Sequence, residues 1–159
     1  ALSAEDELTG LFNRRFFIKE LITESLNCDR YKAKFCLAFF DMDNLKVLND
    51  VYGHAVGDRA IKIIANVIRS NIRKTDIPAR LGGDEFAVIF KNCSDIAIMD
   101  RINKIKTLIE NESKRELPEK IHVSCGIAIY PDDTKSLDEL IKIADSRMYE
   151  EKIKNRGER

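Results

Sequence analysis

A short turn between two apolar runs constrains the fold of this chain more than any other feature. Residues 80–90 read Arg-Leu-Gly-Gly-Asp-Glu-Phe-Ala-Val-Ile-Phe. Adjacent glycines supply the positive φ that a two-residue hairpin requires, so the flanking runs are predicted to pair as antiparallel strands. The two carboxylates, Asp84 and Glu85, follow glycines that leave room for an incoming ligand, and this suits a metal-bound phosphate. The pentapeptide alone is equally compatible with an ordinary charged β-turn.

The composition indicates a single globular domain without a global charge. The chain has 159 residues, of which 44% are hydrophobic and 34% charged. This length is enough to bury one core. Lys+Arg and Asp+Glu number 27 each. No long-range field therefore draws the domain to nucleic acid or to an acidic membrane, and neither contact is expected.

The sequence also predicts a cytoplasmic location. The longest apolar run, residues 35–40, is too short to span a bilayer, and no signal peptide is apparent. The four cysteines are scattered without a Cys-x-x-Cys pair, as expected of reduced thiols. Because the chain starts at Ala1 and not at Met, we expect a fragment of a longer protein, which could be attached to a membrane through an upstream region.

Apolar periodicity predicts five helices and four strands. Helices are expected at about residues 13–32, 42–52, 57–72, 95–112 and 137–152, and strands at 35–40, at 121–130 and as a hairpin within 77–90. Helices and strands that alternate around one hairpin predict an α/β (α+β) fold with a mixed central sheet surrounded by helices. Polar groups at strand ends and in the hairpin turn would then meet at one edge of the sheet.

Asp41 is the second candidate site residue, because it ends the buried run of residues 35–40. A carboxylate there is unfavourable unless a cation or a hydrogen-bond donor meets it. Beside the hairpin, Asp41 could share a divalent ion with Asp84 or Glu85, and hard oxygen ligands suit Mg²⁺. The alternative is that Asp41 caps the following helix through the backbone N–H of Asn44.

The full set of motifs resembles the GGDEF family of diguanylate cyclases, which condense two GTP into cyclic di-GMP. The matching stretches, in chain order, are residues 6–15 (Asp-Glu-Leu-Thr-Gly-Leu-Phe-Asn-Arg-Arg), 41–43 (Asp-Met-Asp), Lys46, 49–50 (Asn-Asp), 52–54 (Tyr-Gly-His), 57–58 (Gly-Asp), 82–86 (Gly-Gly-Asp-Glu-Phe), 144–145 (Ala-Asp), Tyr149 and Lys152. The series spans essentially the whole chain and is far more specific than the pentapeptide.

The resemblance implies a fold similar to nucleotidyl cyclases and polymerase palms, with the active site at the β-hairpin. It also implies that residues 1–159 form a single GGDEF domain, the C-terminal output domain of a longer signalling protein. An upstream sensory or receiver domain would be its partner within that protein.

The resemblance further implies a role for each site residue. Two divalent ions, Mg²⁺ or Mn²⁺, would be held by Asp41, Glu85 and the backbone carbonyl of Met42. Asp84 would act at the reacting centre, either as a metal ligand or by helping to deprotonate the ribose 3′-hydroxyl, and the sequence leaves both roles open. The other implied contacts are Gly82 and Gly83 beside the nucleotide, Lys46, Lys152 and Arg156 at the β- and γ-phosphates, and Asn49 and Asp58 at the guanine edge.

The implied reaction is an in-line attack of a 3′-oxygen on an α-phosphorus with release of pyrophosphate. Guanine presents two donors, N1–H and an exocyclic amine, so a carboxylate such as Asp58 suits GTP better than ATP. Because two GTP give a symmetric product, each domain supplies one half-site, and catalysis is predicted to require a homodimer.

A non-catalytic relative that binds GTP or cyclic di-GMP and acts through a partner is the competing interpretation. Degraded signatures are expected in such proteins, whereas Asp41, Lys46, Asp84, Glu85 and Lys152 are all present here. The enzyme is therefore the favoured interpretation.

Two further positions bear on regulation and on phosphate binding. Arg73 and Asp76 match the family's Arg-x-x-Asp product-inhibition motif, although such a tetrapeptide is also typical of a surface ion pair. Near the C-terminus the family usually carries Ala-Lys-x-x-Gly-Arg-Asn, and Asn155 here replaces the glycine. Asn155 would still tolerate a left-handed helix C-cap.

Overall fold

The structure, a computed structural model, describes residues 3–158, with the backbone alone at 158. The helices are α1 (Arg14–Tyr31), α2 (Leu45–Tyr52), α3 (His54–Ser70), α4 (Asp95–Glu116) and α5 (Leu137–Glu158), and the strands are β1 (Phe35–Met42), β2 (Ile77–Gly82), β3 (Glu85–Lys91) and β4 (Val123–Tyr130).

The four strands form one sheet in the order β2-β3-β1-β4. All three pairings are antiparallel, and an isolated parallel bridge between Phe12 and Ala79 adds the N-terminal segment to the outer edge of β2. The central strand β1 lies between β3 and β4, so its end meets both the hairpin and the β4 edge. The predicted fold class, a central sheet surrounded by helices, is confirmed.

Helices cover both faces of this sheet, because β1 is apolar on both sides. Alternate side chains of β1, among them Ala38 and Phe40, pack with α3 and α4. Its other side chains, among them Leu37 and Phe39, pack with α1 and α5. Burial of both faces explains why β1 reads as a continuous apolar run and not as an alternating one.

Two helix ends are explained by the residue that stands there. The Asn13 side chain accepts a hydrogen bond from the backbone N–H of Phe16 and caps α1. Gly53, at φ +90°, separates α2 from α3. The predicted start of α3 at Gly57 is therefore wrong by one turn, because the break falls at Gly53.

The last helix packs directly on the edge strand β4. A Cβ at Gly126 would lie 2.1 Å from the carbonyl oxygen of Ala144 and 2.2 Å from the backbone nitrogen of Met148. Only a glycine allows the two backbones to approach this closely. Within the described residues, no helix combines the length and the apolar character that a membrane span needs.

Candidate active site

The hairpin places the predicted acidic residues beside the end of β1. Gly82 and Gly83 both have positive φ, +149° and +47°, as predicted. The two residues of the turn are, however, Gly83 and Asp84 and not the two glycines, because Gly82 ends β2 and pairs with Glu85. In the register of β1 and β3, Asp41 lies opposite Glu85. The backbone N–H of Met42 donates to the carbonyl oxygen of Asp84 at 3.2 Å. Asp41, Asp84 and Glu85 are therefore neighbours, although more than 40 residues separate Asp41 from the turn.

Asp41 receives a cation from the last helix. The Lys152 ammonium lies 2.7 Å from Oδ2 of Asp41 and 3.5 Å from the carbonyl oxygen of Met42. Oδ1 of Asp41 is buried and has no hydrogen-bond partner among the described residues. Asn44, and not Asp41, stands at the N-cap of α2, and no side chain caps that helix. The capping interpretation of Asp41 is therefore wrong.

The two turn carboxylates hold protons more tightly than usual. Burial raises the pKa of Asp84 to about 6, with further contributions from the charge of Asp41 and a hydrogen bond with its carboxyl group. Burial, then Asp41, then Asp145 raise the pKa of Glu85, whereas Arg14 and Lys152 oppose the rise. The negative charge of a neighbouring carboxylate makes ionisation of Asp84 less favourable.

The acidic residues suit a divalent cation, although their carboxylates do not surround a common point in this structure. Within the described part of the chain, no three His, Cys, Asp or Glu side chains lie close enough to hold one ion together. The ammonium of Lys152, however, lies against both the Asp41 carboxylate and the Met42 carbonyl. Two hard oxygens that share a cation, beside an unsatisfied carboxylate oxygen, form a donor set appropriate to Mg²⁺ or Mn²⁺.

A second unsatisfied oxygen lies where α2 meets α3. Oδ1 of Asn49 is buried without a hydrogen-bond partner in the described residues. A Cβ at Gly57 would lie only 1.7 Å from this oxygen. Gly57 therefore leaves the space that the Asn49 amide occupies, and the buried amide oxygen is left without a donor among the described residues.

The arginine before the turn holds the hairpin in place. The Arg80 guanidinium donates to the carbonyl oxygen of Gly83 through Nε at 3.0 Å and Nη2 at 2.8 Å. Its Nη1 lies 3.1 Å from Oδ1 of Asp6. The glycine turn is thus tied to the N-terminal segment.

Comparison with known families decides the identity of the domain. The profile described as "Diguanylate cyclase, GGDEF domain" matches residues 3–158, nearly the whole chain. The chain belongs to the GGDEF family. Cyclases of this family generally depend on divalent metals, in agreement with the oxygen-rich donor set.

Curated relatives of this GGDEF domain include proteins named as cyclases. The chain is 32% identical over 160 residues to "Probable diguanylate cyclase DgcT" of Escherichia coli, which covers 98% of this chain and 35% of that protein. It is 34% identical over 155 residues to "Diguanylate cyclase DgcS" of Shewanella oneidensis, which covers 96% of this chain and 50% of that protein. The chain thus spans at most half of the length of these two relatives.

Solved GGDEF domains share the fold. The GGDEF domain of DgcB from Caulobacter crescentus, crystallised in complex with c-di-GMP, superposes with a TM-score of 0.87 at 30% identity. The alignment covers 100% of this chain and 94% of that one.

Three other predicted nucleotide contacts of this GGDEF domain lie on helices and not in the acidic centre, which consists of Asp41, Asp84 and Glu85. Lys46, Asp58 and Arg156 are exposed on α2, α3 and α5, respectively. No contact joins them to Asp41 or Asp84 among the residues that the structure describes. Their nucleotide-binding roles remain predictions.

The predicted inhibitory pair of the GGDEF domain is formed, and its acid is also structural. The Arg73 guanidinium donates to both Asp76 carboxylate oxygens, at 3.2 and 3.0 Å. The Asp76 side chain is fully buried, and it also accepts from the backbone N–H groups of Arg73 and Lys91. Arg73 itself is 44% exposed and lines a cavity of about 380 Å³ together with Arg101.

The sequence analysis did not identify the charged residues beside the hairpin that shift the pKa of Glu85. Arg14 and Asp145 line the same cavity as Glu85, about 240 Å³ in volume, between α1, α5 and the hairpin. Both residues belong to stretches that matched the family, yet neither received a role because helical spacing alone does not show which side chains meet across two helices. Arg80 was missed for a similar reason, since its partner Asp6 is 74 positions away.

Proposed function

We propose that this GGDEF domain is a diguanylate cyclase that condenses two GTP into cyclic di-GMP with release of pyrophosphate. The observation that carries the proposal is the acidic centre itself. Asp41, with an unsatisfied buried oxygen, lies opposite Glu85, beside Asp84, and 2.7 Å from the Lys152 ammonium. A domain that needed this turn only for its fold would gain nothing from three carboxylates so placed.

The reacting groups follow from this centre. Asp41, Glu85 and the Met42 carbonyl would hold two Mg²⁺ or Mn²⁺ ions, which supply the charge that stabilises the entering and leaving oxygens. Asp84, with a pKa raised to about 6, is suited to accept the proton of the ribose 3′-hydroxyl near neutral pH. Gly82 and Gly83 leave the turn open to the nucleotide.

Phosphate binding is assigned to cations on the flanking helices. Lys152 already lies at the acidic centre, and Arg156 follows one helical turn later on the same helix. Lys46 lies on the first turn of α2, close in sequence to the end of β1. Together these three cations would neutralise the β- and γ-phosphates and the departing pyrophosphate.

Guanine recognition is assigned to the junction of α2 and α3. The unsatisfied Oδ1 of Asn49 is an acceptor, and the Asp58 carboxylate is a second acceptor on the exposed surface of α3. Two acceptors match the N1–H and exocyclic amine of guanine, whereas adenine lacks this donor pair. We expect Asp58→Ala to lower the selectivity for GTP over ATP, measured as the ratio of the two kcat/KM values; an unchanged ratio would remove Asp58 from the base site.

The symmetry of the product implies two half-sites, so the active form would be a homodimer with one GTP in each domain. Because the chain spans half or less of the curated relatives DgcT and DgcS, we propose that it is the output domain of a longer protein. An upstream sensory or receiver domain would then control the association of two copies in the cytoplasm.

The deciding experiment is product formation from GTP with Mg²⁺ at several protein concentrations. Asp84→Ala is expected to abolish cyclic di-GMP formation, whereas Asp138→Ala, which removes an exposed acid in the first turn of α5, is the matched control. No product from the wild type at any concentration, with GTP or cyclic di-GMP still bound, would favour the receptor alternative.

Product inhibition at Arg73 is a further part of the proposal. Arg73 is half exposed beside a cavity that a second arginine, Arg101, also lines. Its Nε and Nη2 are engaged by the Asp76 carboxylate and the Lys91 carbonyl oxygen, so Nη1 is the group that would donate to a phosphate or to the Hoogsteen edge of guanine. We propose that cyclic di-GMP binds here and restrains the enzyme.

The test of this inhibitory site should use Arg73 and not Asp76, because loss of Asp76 would leave two backbone N–H groups unpaired. We expect Arg73→Ala to weaken inhibition by cyclic di-GMP by about tenfold or more, with initial rates preserved. Lys74→Ala, which removes the neighbouring exposed charge, is the control. Equal inhibition constants for the wild type and Arg73→Ala would exclude the site.

A further inference from the structure

The last helix is attached to the sheet at successive turns. The Arg147 guanidinium donates to the carbonyl oxygen of Ile127 at 2.8 Å, and the Glu151 carboxylate accepts from the backbone N–H of Cys125 at 3.2 Å. Lys152 then meets Asp41. These contacts fix the helix up to the residue that reaches the acidic centre, but Arg156 lies beyond them.

Asn155 continues this attachment past Lys152. Its Nδ2 donates to Oγ of Ser124 at 3.1 Å, and the Ser124 hydroxyl donates in turn to Oδ1 of Asp43 at 3.0 Å. Ser124 is fully buried and Asp43 is 9% exposed. The backbone N–H of Asp43 donates to the carbonyl oxygen of His122 at 2.8 Å. A directional chain of hydrogen bonds therefore runs from α5 through β4 to the loop after β1.

Both ends of this chain adjoin residues of the acidic centre. Asp43 follows Met42, whose carbonyl lies 3.5 Å from the Lys152 ammonium. Asn155 lies between Lys152 and Arg156, and α5 continues as a regular helix to 158, so the left-handed C-cap expected at Asn155 is absent. Residues three and four apart share one face of a helix, which places Lys152, Asn155 and Arg156 on the same side.

We infer that Asn155 is a positioning residue for phosphate binding. Through Ser124 it holds the last turns of α5 against the loop that carries the Met42 carbonyl, and so sets the distance between the cations of α5 and the acidic centre. The inference rests on the proposed function, because it assumes that Lys152 and Arg156 bind the β- and γ-phosphates.

The test measures binding of two nucleotides by calorimetry in the presence of Mg²⁺. A non-hydrolysable GTP analogue carries the β- and γ-phosphates, whereas GMP does not. We expect Asn155→Ala to lower the affinity for the GTP analogue by about three- to tenfold, the range for one net hydrogen bond. The affinity for GMP should be unchanged. Asn155→Asp keeps the size of the side chain but removes the donor, and its affinity for the GTP analogue is expected to fall by at least as much.

Two further variants make the comparison specific. Ser124→Ala should reproduce the loss, and adding Asn155→Ala to it should have little further effect, because both changes interrupt one chain. Asn103→Ala, at an exposed position of α4, should bind both nucleotides like the wild type.

The possible failures are distinguishable. The positioning role would be overturned if Asn155→Ala bound the analogue as tightly as the wild type does, or if its affinities for the analogue and for GMP fell equally. Either result would leave the proposed cyclase activity intact. A wild-type domain that binds neither nucleotide and forms no cyclic di-GMP would overturn the proposed function and this inference with it.

Discussion

Lys152 is the residue on which the acidic centre depends in the nucleotide-free domain. Its ammonium is the counter-charge for Asp41 and also approaches the Met42 carbonyl. Its side chain is 15% exposed and that of Asp41 13%, so the pair is only weakly screened by water. Loss of either partner would leave a nearly buried charge uncompensated, which is strongly unfavourable.

Asp84 should make the metal-free domain sensitive to pH. Its pKa is about 6 in the folded protein and 3.8 in the ordinary case. Between these values the folded state binds a proton that the unfolded chain has released, so the free energy of unfolding falls as pH rises. We expect Asp84→Asn to be more stable than the wild type above about pH 6, by about 1 kcal/mol after allowance for solvent screening.

Urea unfolding in a chelator, from about pH 4.5 to about pH 8, tests this expectation through the difference between the two stability curves. The difference should grow up to about pH 6 and then level off, because both states have lost the proton there. It should shrink when the chelator is replaced by Mg²⁺, because the wild type binds the cation more tightly. Asp138→Asn serves as the exposed control. Parallel curves for Asp84→Asn and the wild type would contradict the raised pKa.

Gly57 makes a second residue-scale prediction. The nearest atoms to a Cβ at this position would all belong to the Asn49 side chain, with the amide oxygen at 1.7 Å. We therefore expect Gly57→Ala to displace the Asn49 side chain and raise KM for GTP about tenfold, with kcat changed much less. Steady-state kinetics would measure the effects on KM and on kcat separately. In an Asn49→Ala background the Gly57→Ala change should have little further effect, and an additive loss would contradict the explanation.

At the scale of elements, α5 packs against β4 with no space for a side chain at Gly126. Because a Cβ at Gly126 would meet backbone atoms of α5 at 2.1 and 2.2 Å, no side-chain rotation can relieve it. We expect Gly126→Ala to lower the free energy of unfolding by about 3 kcal/mol or more and to separate Lys152 from Asp41.

Gly157→Ala is the matched control, since a Cβ there meets nothing within 4 Å. It should leave stability unchanged or raise it by up to about 1 kcal/mol, because alanine favours a helix over glycine. Thermal unfolding of both variants makes the comparison. Equal midpoints would mean that α5 can move away from β4 without loss.

The order of helices and strands was predictable because each carries its own apolar period. The residues at which the helices and strands begin and end were less predictable, because tertiary packing determines them. β1 includes Met42 because that residue pairs with Val123 of β4. The helix predicted from Asp95 to about Glu112 runs to Glu116, and its last turn packs through the buried Ser113 and Leu117. The pairing of Met42 with Val123 joins residues far apart in sequence, so no local pattern predicts it.

At the scale of the molecule, the acidic centre was predictable and its surroundings were not. Asp41 and Glu85 could be brought together because a buried strand and a hairpin share one sheet. The contact of Lys152 with Asp41 was not expected, as it spans 111 positions. The same holds for Arg80 with Asp6 and for Asn155 with Ser124, because such pairs are set by tertiary packing and leave no periodic signal.

Two half-sites predict a characteristic dependence on protein concentration. The net charge is zero, so neither long-range attraction nor repulsion biases the association of two copies. Cyclic di-GMP formation should therefore rise more steeply than linearly with domain concentration, and moderate salt should change the slope little. A strictly linear rate at low concentration would indicate that one copy suffices.

Mixing experiments test the same idea independently. An excess of Asp84→Ala domain should lower the rate of a fixed amount of wild type, because mixed pairs contain one inactive half-site. Asp138→Ala domain added in the same excess should raise the rate. An unchanged wild-type rate in excess Asp84→Ala would argue against shared catalysis.

The contact between Lys152 and Asp41 joins the last helix to the first strand, and this has a consequence during protein synthesis. Asp41 leaves the ribosome long before its counter-charge has been made, and β1 must also wait for its neighbours β3 and β4. A nascent chain or a product truncated before α5 would hold the acidic turn without the cation that faces it. The domain is therefore expected to be catalytically silent until nearly all of it has been translated.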